Sequence, residues 1–168
     1  ELTASFQVNA GYIFGLGDDN IRINDRFFKG GQTFRGFQTA GIGPREVQYD
    51  ATGTTVVEKG DALGGKLYGI GTFELTFPTG LPKQYGIAGA LFADVGTVGI
   101  VDNVDKTFAV LGGLPVVTRD GPSLRASAGL SVFWDSPFGP IRLDFSEPFL
   151  KEPYDRTETF RFSTMQKF

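Results

Sequence analysis

Arg35, Glu74, Asp94, Arg125, Arg142, Asp144 and Arg161 are the residues whose charge and placement could do chemistry in this sequence of 168 residues. There is no His and no Cys, so imidazole bases, thiol nucleophiles and the imidazole and thiolate ligands of common metal sites are all missing. Asp94 and Asp144 could in principle work as an acid and base pair, but their simpler role is to partner Arg35, Arg142 and Arg125. Gly64-Gly65-Lys66 is no phosphate loop, because the earlier Gly at the required spacing and a following Ser or Thr are absent. The expected chemistry is ion pairing, with no catalytic residue, no metal and no cofactor. A net charge of -3 and a pI near 5.0 give no electrostatic reason to expect nucleic acid.

Positioning such charges requires elements with one polar and one apolar face. Period-two alternation, the mark of a half-buried strand, appears in six segments: Ser5–Gly15, Lys66–Phe77, Tyr85–Gly96, Ser123–Trp134, Pro140–Pro148 and Glu158–Phe168. In the first, Phe6, Val8, Ala10, Tyr12 and Phe14 oppose Ser5, Gln7, Asn9 and Gly11. In the second, Leu67, Phe73, Leu75 and Phe77 oppose Lys66, Thr72, Glu74 and Thr76, and Ile70 breaks the pattern. In the third, Phe92 and Asp94 share the face opposite Leu91 and Val95. Gly at 24 residues and Phe at 17 suit strands and turns better than helices.

The spacing between these segments carries as much information as the segments themselves. Connections 16–65 and 97–122 are long and polar, whereas 78–84 and 135–139 are short and punctuated by Pro and Gly. No apolar run reaches the roughly 18 to 20 residues of a spanning helix. Segments near ten residues with alternately long and short connections fit an all-β, antiparallel transmembrane barrel of the outer-membrane type, with its C-terminus on the short-turn, periplasmic side. A soluble sandwich or lipocalin-like barrel alternates in the same way. Register favours the membrane: with apolar faces toward lipid, all seven charged residues except loop-borne Arg35 point inward from strands. A one-residue slip would place Arg125, Arg142 and Arg161 in lipid at about 2–4 kcal/mol each near the midplane.

Single-chain barrels of this kind begin at eight strands, and six leave two edges that lipid cannot hydrogen-bond. The expectation is therefore that residues 1–168 form the C-terminal part of a larger barrel domain, with the rest upstream. The N-terminus shows no basic segment followed by an apolar core, so a leader is expected to have been removed or to lie further upstream. The connection 16–65 reads as one long loop without clear secondary structure, a length uncommon unless functional. Its glycines and aromatic residues suit a path folded back into the lumen. Arg35, withdrawn from water there, needs a carboxylate, and inward-facing Glu74 and Asp94 are the candidates.

Three blocks occur in an order that resembles the BamA family of outer-membrane assembly barrels in the bacterial surface antigen superfamily. The first is Asp25-Arg26-Phe27-Phe28-Lys29-Gly30-Gly31-Gln32-Thr33-Phe34-Arg35-Gly36-Phe37, ending like the family's aliphatic-Arg-Gly-aromatic tetrad with Phe34 in the aliphatic place. The second is Phe92-Ala93-Asp94-Val95-Gly96, similar to the Phe-x-Asp-x-Gly strand motif. The third is the turn Asp135-Ser136-Pro137-Phe138-Gly139-Pro140-Ile141-Arg142, followed by a strand that ends on Phe168. The resemblance implies the last six strands of a sixteen-stranded barrel, with Phe34, Arg35, Gly36 and Phe37 locked to Glu74 and Asp94. It also implies a terminal seam and targeting strand carrying Phe160, Phe162 and Phe168. The implied activity is non-enzymatic folding and insertion of other barrel proteins into the outer membrane. Partners would be outer-membrane lipids, unfolded barrel clients and, through upstream periplasmic domains, the lipoproteins of an assembly complex. Within the superfamily a two-partner secretion barrel is the alternative, and a passive porin or adhesin is a further one.

Overall fold

The computed structural model describes residues 2–17, 20–101, 109–111, 114–137 and 139–164. Six strands form one antiparallel sheet: β1 (Thr3–Tyr12), β4 (Leu67–Pro78), β5 (Ile87–Gly99), β8 (Arg125–Ser136), β9 (Gly139–Leu150) and β10 (Phe160–Thr164), in the spatial order β1-β4-β5-β8-β9-β10. Each overlaps one of the six alternating segments, the last of which runs past the described residues. The short connections tie β4 to β5 and β8 to β9, where the Ser136 hydroxyl donates to the Gly139 carbonyl at 2.5 Å.

The two long connections are not structureless. Residues 16–65 contain β2 (Arg45–Tyr49) and β3 (Val56–Ala62), and residues 97–122 contain β6 (Ala109–Leu111) and β7 (Leu114–Arg119). These four make a second sheet in the order β3-β2-β7-β6, at the end of the first sheet where β5 finishes and β8 begins. The reading of 16–65 as one loop missed it. Runs of five to seven residues, with Gly60 and acidic side chains inside β3, carry too little apolar alternation to stand out until a distant strand supplies the pairing.

Alternation in the first sheet sorts its side chains as expected. Phe6 and Val8 of β1, Phe73 of β4, Leu91 and Val95 of β5, Leu130 and Trp134 of β8, Phe145 of β9 and Phe160 of β10 all lie exposed on the outer face. On the inner face Asp94, Ser127, Ser131, Asp144, Ser146 and Ser163 are buried. An exposed apolar face of this extent, backed by buried charges, inverts the arrangement of a water-soluble sheet.

The outer face is testable at Leu91, which is 52% exposed and pairs with Leu75 and Leu130 in an apolar row across three strands. In lipid vesicles the protein carrying Leu91→Arg is expected to lose about 2–4 kcal/mol of stability in urea titration, the cost of an arginine near the midplane. Equal stability of the variant and the wild type would remove lipid from that face.

Ile70 of β4 and Phe92 of β5 are apolar residues that point inward among polar ones. They mark where residues 26–43 cross the inner wall. Phe34, Phe37, Ile42, Ile70 and Val98 form a buried cluster with Tyr68 packed beside it. Burial of side chains of this size stabilises by about 1.5–3 kcal/mol each, which offsets the entropy lost when the loop is ordered. The loop is tied at both ends by paired backbone: Phe27 exchanges hydrogen bonds with Gly65 at 2.8 and 2.9 Å, and Lys29 bridges to Ile42.

Candidate functional site: a loop pinned to the inner wall

Arg35 sits at the apex of that loop and is 5% exposed. Its guanidinium makes a fork to Asp94, with Nε to Oδ2 at 2.7 Å and Nη2 to Oδ1 at 2.6 Å. The third nitrogen, Nη1, donates to Glu74 Oε2 at 2.6 Å. The backbone N–H of Arg35 also donates to Asp94 Oδ2 at 3.1 Å, and the Ser127 hydroxyl donates to the Arg35 carbonyl at 2.6 Å. One residue is thus fastened by both its main chain and its side chain to three adjacent strands. Burial opposes the Arg35 charge. The hydrogen bonds and charge of Asp94, then those of Glu74, outweigh it and hold the guanidinium pKa above its ordinary value.

The strands place these partners by register alone. Asp94 on β5 is paired with Thr72 on β4 and with Ser127 on β8. Glu74 is paired with Phe92. Asp94 and Glu74 therefore lie diagonally on adjacent strands of one face, within reach of a single planar fork. The Arg35 guanidinium stacks over the Phe92 ring, 3.6 Å from its centroid, a cation–π contact that adds about 0.5–2 kcal/mol. The far edge of that ring lies over Gly129, where an added Cβ would sit 2.6 Å from Phe92 Cζ and 2.1 Å from the Phe145 carbonyl oxygen. Any other residue at 129 would push the ring out of its place.

Gly36 has φ +86, in the left-handed region, and a Cβ there would lie 2.9 Å from Ser127 Cβ. It turns the chain so that Phe34 and Phe37, both 0% exposed, enter the cluster while Arg35 faces the acids. Gly96 is buried within β5, paired with Ile70 and with Arg125. The strand motif and the loop tetrad therefore meet in one place.

A second layer of charge extends from Glu74. Arg142 donates to Glu74 Oε2 at 2.8 Å, to Asp144 Oδ1 at 2.8 Å and to the Ser131 hydroxyl at 2.9 Å, and that hydroxyl donates in turn to Asp144. The carboxylates of Glu74, Asp94 and Asp144 all accept from guanidinium groups, so each is committed to pairing. Among the described residues no group of three or more His, Cys, Asp or Glu stands together as a metal site. What the arrangement does chemically is hold a loop.

One expected pairing is corrected. Arg125 does not meet Asp94 or Asp144. It is fully buried and forks onto Asp155, with distances of 2.9 and 3.0 Å. Asp155 lies in a polar connection with no alternation around it, so sequence spacing carried no signal for it. Ser127 was missed as a loop partner because a serine on an inner face looks like ordinary lumen lining. Phe160 and Phe162 lie on the outer face of β10, 50% and 55% exposed, and the Phe160 ring packs 5.1 Å from that of Phe145. Phe138 of the turn block and the terminal Phe168 lie outside the described residues.

The sequence and the fold that carry this site have counterparts among known proteins. The Omp85 superfamily domain model matches residues 1–168. The chain belongs to the Omp85 superfamily. Over 98% of its length the Omp85 chain is 33% identical to the outer membrane protein assembly factor BamA of Neorickettsia risticii, and over 84% it is 29% identical to BamA of Neisseria meningitidis serogroup B. A crystal structure of BamA from Haemophilus ducreyi lacking POTRA domains 1-3 superposes with a TM-score of 0.74 at 25% identity, covering 96% of the Omp85 chain and 30% of that structure. The chain spans about a fifth of the length of the curated relatives it matches, 19% and 18%.

Proposed function

We propose that this Omp85 chain is the C-terminal part of the barrel of an outer-membrane protein assembly factor, which folds and inserts other β-barrel proteins without consuming a nucleotide. The observation that carries this reading is the Arg35 loop fastened across β4, β5 and β8, on a chain similar over nearly its whole length to proteins named as assembly factors. Fixing the loop to the wall stiffens one side of the lumen, while β10 pairs with β9 and stands at the edge of the sheet. An edge of unpaired backbone groups is a template for an incoming strand. Phe34, Arg35, Gly36 and Phe37, with Glu74 and Asp94, are assigned to the loop lock. Phe92 and Gly96 support it from β5. Phe160, Phe162 and Phe168 are assigned to the seam strand. The short turns face the periplasm, and the C-terminus lies with them. Lipid contacts the outer face, unfolded barrel clients meet the seam, and accessory lipoproteins bind upstream periplasmic domains.

A passive porin or adhesin would need residues 25–37 to be mobile outside the barrel, and their ties to Gly65, Asp94 and Glu74 argue against it. A secretion barrel of the same superfamily would pass one partner through the lumen instead of folding it. Full-length parent in nucleotide-free liposomes, offered a urea-unfolded porin, separates these readings. The porin is expected to fold faster than with empty liposomes, read as a heat-modifiable gel shift. Folding at the empty-liposome rate would reject the assembly reading.

A further inference from the structure

Asp155 receives more bonds than its place in a polar connection requires. Its carboxylate takes the Arg125 fork and, at 2.7 Å, the backbone N–H of Glu152. Its main-chain carbonyl accepts from Lys59 Nζ of β3 at 2.6 Å. Both members of the Arg125–Asp155 pair have fully buried side chains, although Asp155 belongs to a polar connection, where a solvated pair would cost less. The neighbouring Tyr154 packs with Val47 and Tyr49 of β2. Two separate pieces of the protein, β8 and the second sheet, thus converge on the short turn 152–155.

The chain leaving that turn is paired directly with the Arg35 loop. The Gln38 N–H donates to the Arg156 carbonyl at 2.9 Å, the Arg156 N–H to the Gly41 carbonyl at 2.9 Å, and the Glu158 N–H to the Gly36 carbonyl at 3.0 Å. Phe37 and Thr157 form an antiparallel bridge. Two residues later the same segment becomes β10, whose Arg161 holds Glu158 and reaches Thr39 at 3.4 Å. Residues 156–158 are therefore a splint with the loop on one side and the last strand as their continuation.

We infer that Asp155, through its buried pair with Arg125, is a positioning residue that sets the splint 156–158 and thereby fixes the Arg35 loop from its outer end. The inference rests on the assembly reading only for its consequence, not for its geometry. Arg35 holds the loop to the wall. Asp155 holds the segment that the loop is stitched to, so loss of the pair loosens residues 36–41 without touching Asp94 or Glu74. The second sheet joins the same latch through Lys59.

Hydrogen–deuterium exchange on the full-length parent in detergent micelles tests this. With Asp155→Asn, peptides covering 36–41 and 156–158 are expected to exchange at least tenfold faster, while those of β4 and β5 keep wild-type rates. Arg125→Lys keeps the charge but loses one arm of the fork, so it is expected to give a smaller increase in the same two regions. It serves as the reading if Asp155→Asn does not fold. Unchanged exchange in both regions overturns the inference. So does an equal acceleration of every strand, which would make the pair a general stabiliser. If the two regions loosen selectively and client folding is unaffected, the latch stands and the need for a fixed loop in assembly falls.

Discussion

Arg35→Ala is expected to free the loop from the wall and, under the proposed assembly function, to abolish support of growth in a strain depleted of its own assembly factor. The size of the effect follows from what is left behind. Asp94 is 2% exposed and accepts three bonds from Arg35. Two of them disappear with the guanidinium, leaving a carboxylate that is buried and has lost its countercharge. Removing one partner of a buried pair costs about 3–5 kcal/mol, and the stacking on Phe92 is lost as well. Arg35→Lys keeps the charge but cannot bridge both acids in a plane, so it is expected to recover only part of the function. Protease sensitivity of residues 26–43 in purified protein should rise in the order wild type, Arg35→Lys, Arg35→Ala. Wild-type growth and wild-type protection in Arg35→Ala would sink the lock.

Gly36→Val is expected to be nearly as damaging by an independent route. A β-branched residue in the left-handed region costs roughly 1–2 kcal/mol from the backbone alone. Its Cβ would lie 2.9 Å from Ser127 Cβ, in contact with the strand whose hydroxyl holds the Arg35 carbonyl. The chain can relieve the clash only by lifting Arg35 and Phe37 away from the wall. The charges are all retained, so the same protease pattern from Gly36→Val and Arg35→Ala would show that placement of the guanidinium matters, beyond its presence. Ser127→Ala gives the milder end of the series, about 1 kcal/mol for one hydrogen bond. A Gly36→Val protein as protected as wild type would show that the turn at 36 is not required.

The barrel sheet was legible because five of its six strands run for ten residues or more and its two faces meet different surroundings. Alternation over nine to twelve residues placed all six strands, and even the interruption at Ile70 had meaning, since that residue receives Phe34 and Phe37. The second sheet was not legible. Its strands are short, and pairing such as Arg45 with Arg119 joins residues that no local pattern relates. At the site, Glu74 and Asp94 could be chosen as partners for Arg35 because they were inward acids on the two strands that follow the loop. Asp155 could not be found in that way. A side chain in a connection has no face until the fold supplies one, and its pairing with Arg125 depends on a contact between residues thirty apart along the chain.

The loop's anchors also impose an order in time. Arg35 meets acids 39 and 59 residues further along the chain, and the bond from Gln38 to the backbone at Thr157 spans 119. The hairpins β4–β5 and β8–β9 close over a few residues, while closing a long span costs more entropy and brings no reward until its target surface exists. That surface consists of three strands already in register. Docking of the loop must come after assembly of the wall, so the pinned loop is a record that β4, β5 and β8 have paired correctly.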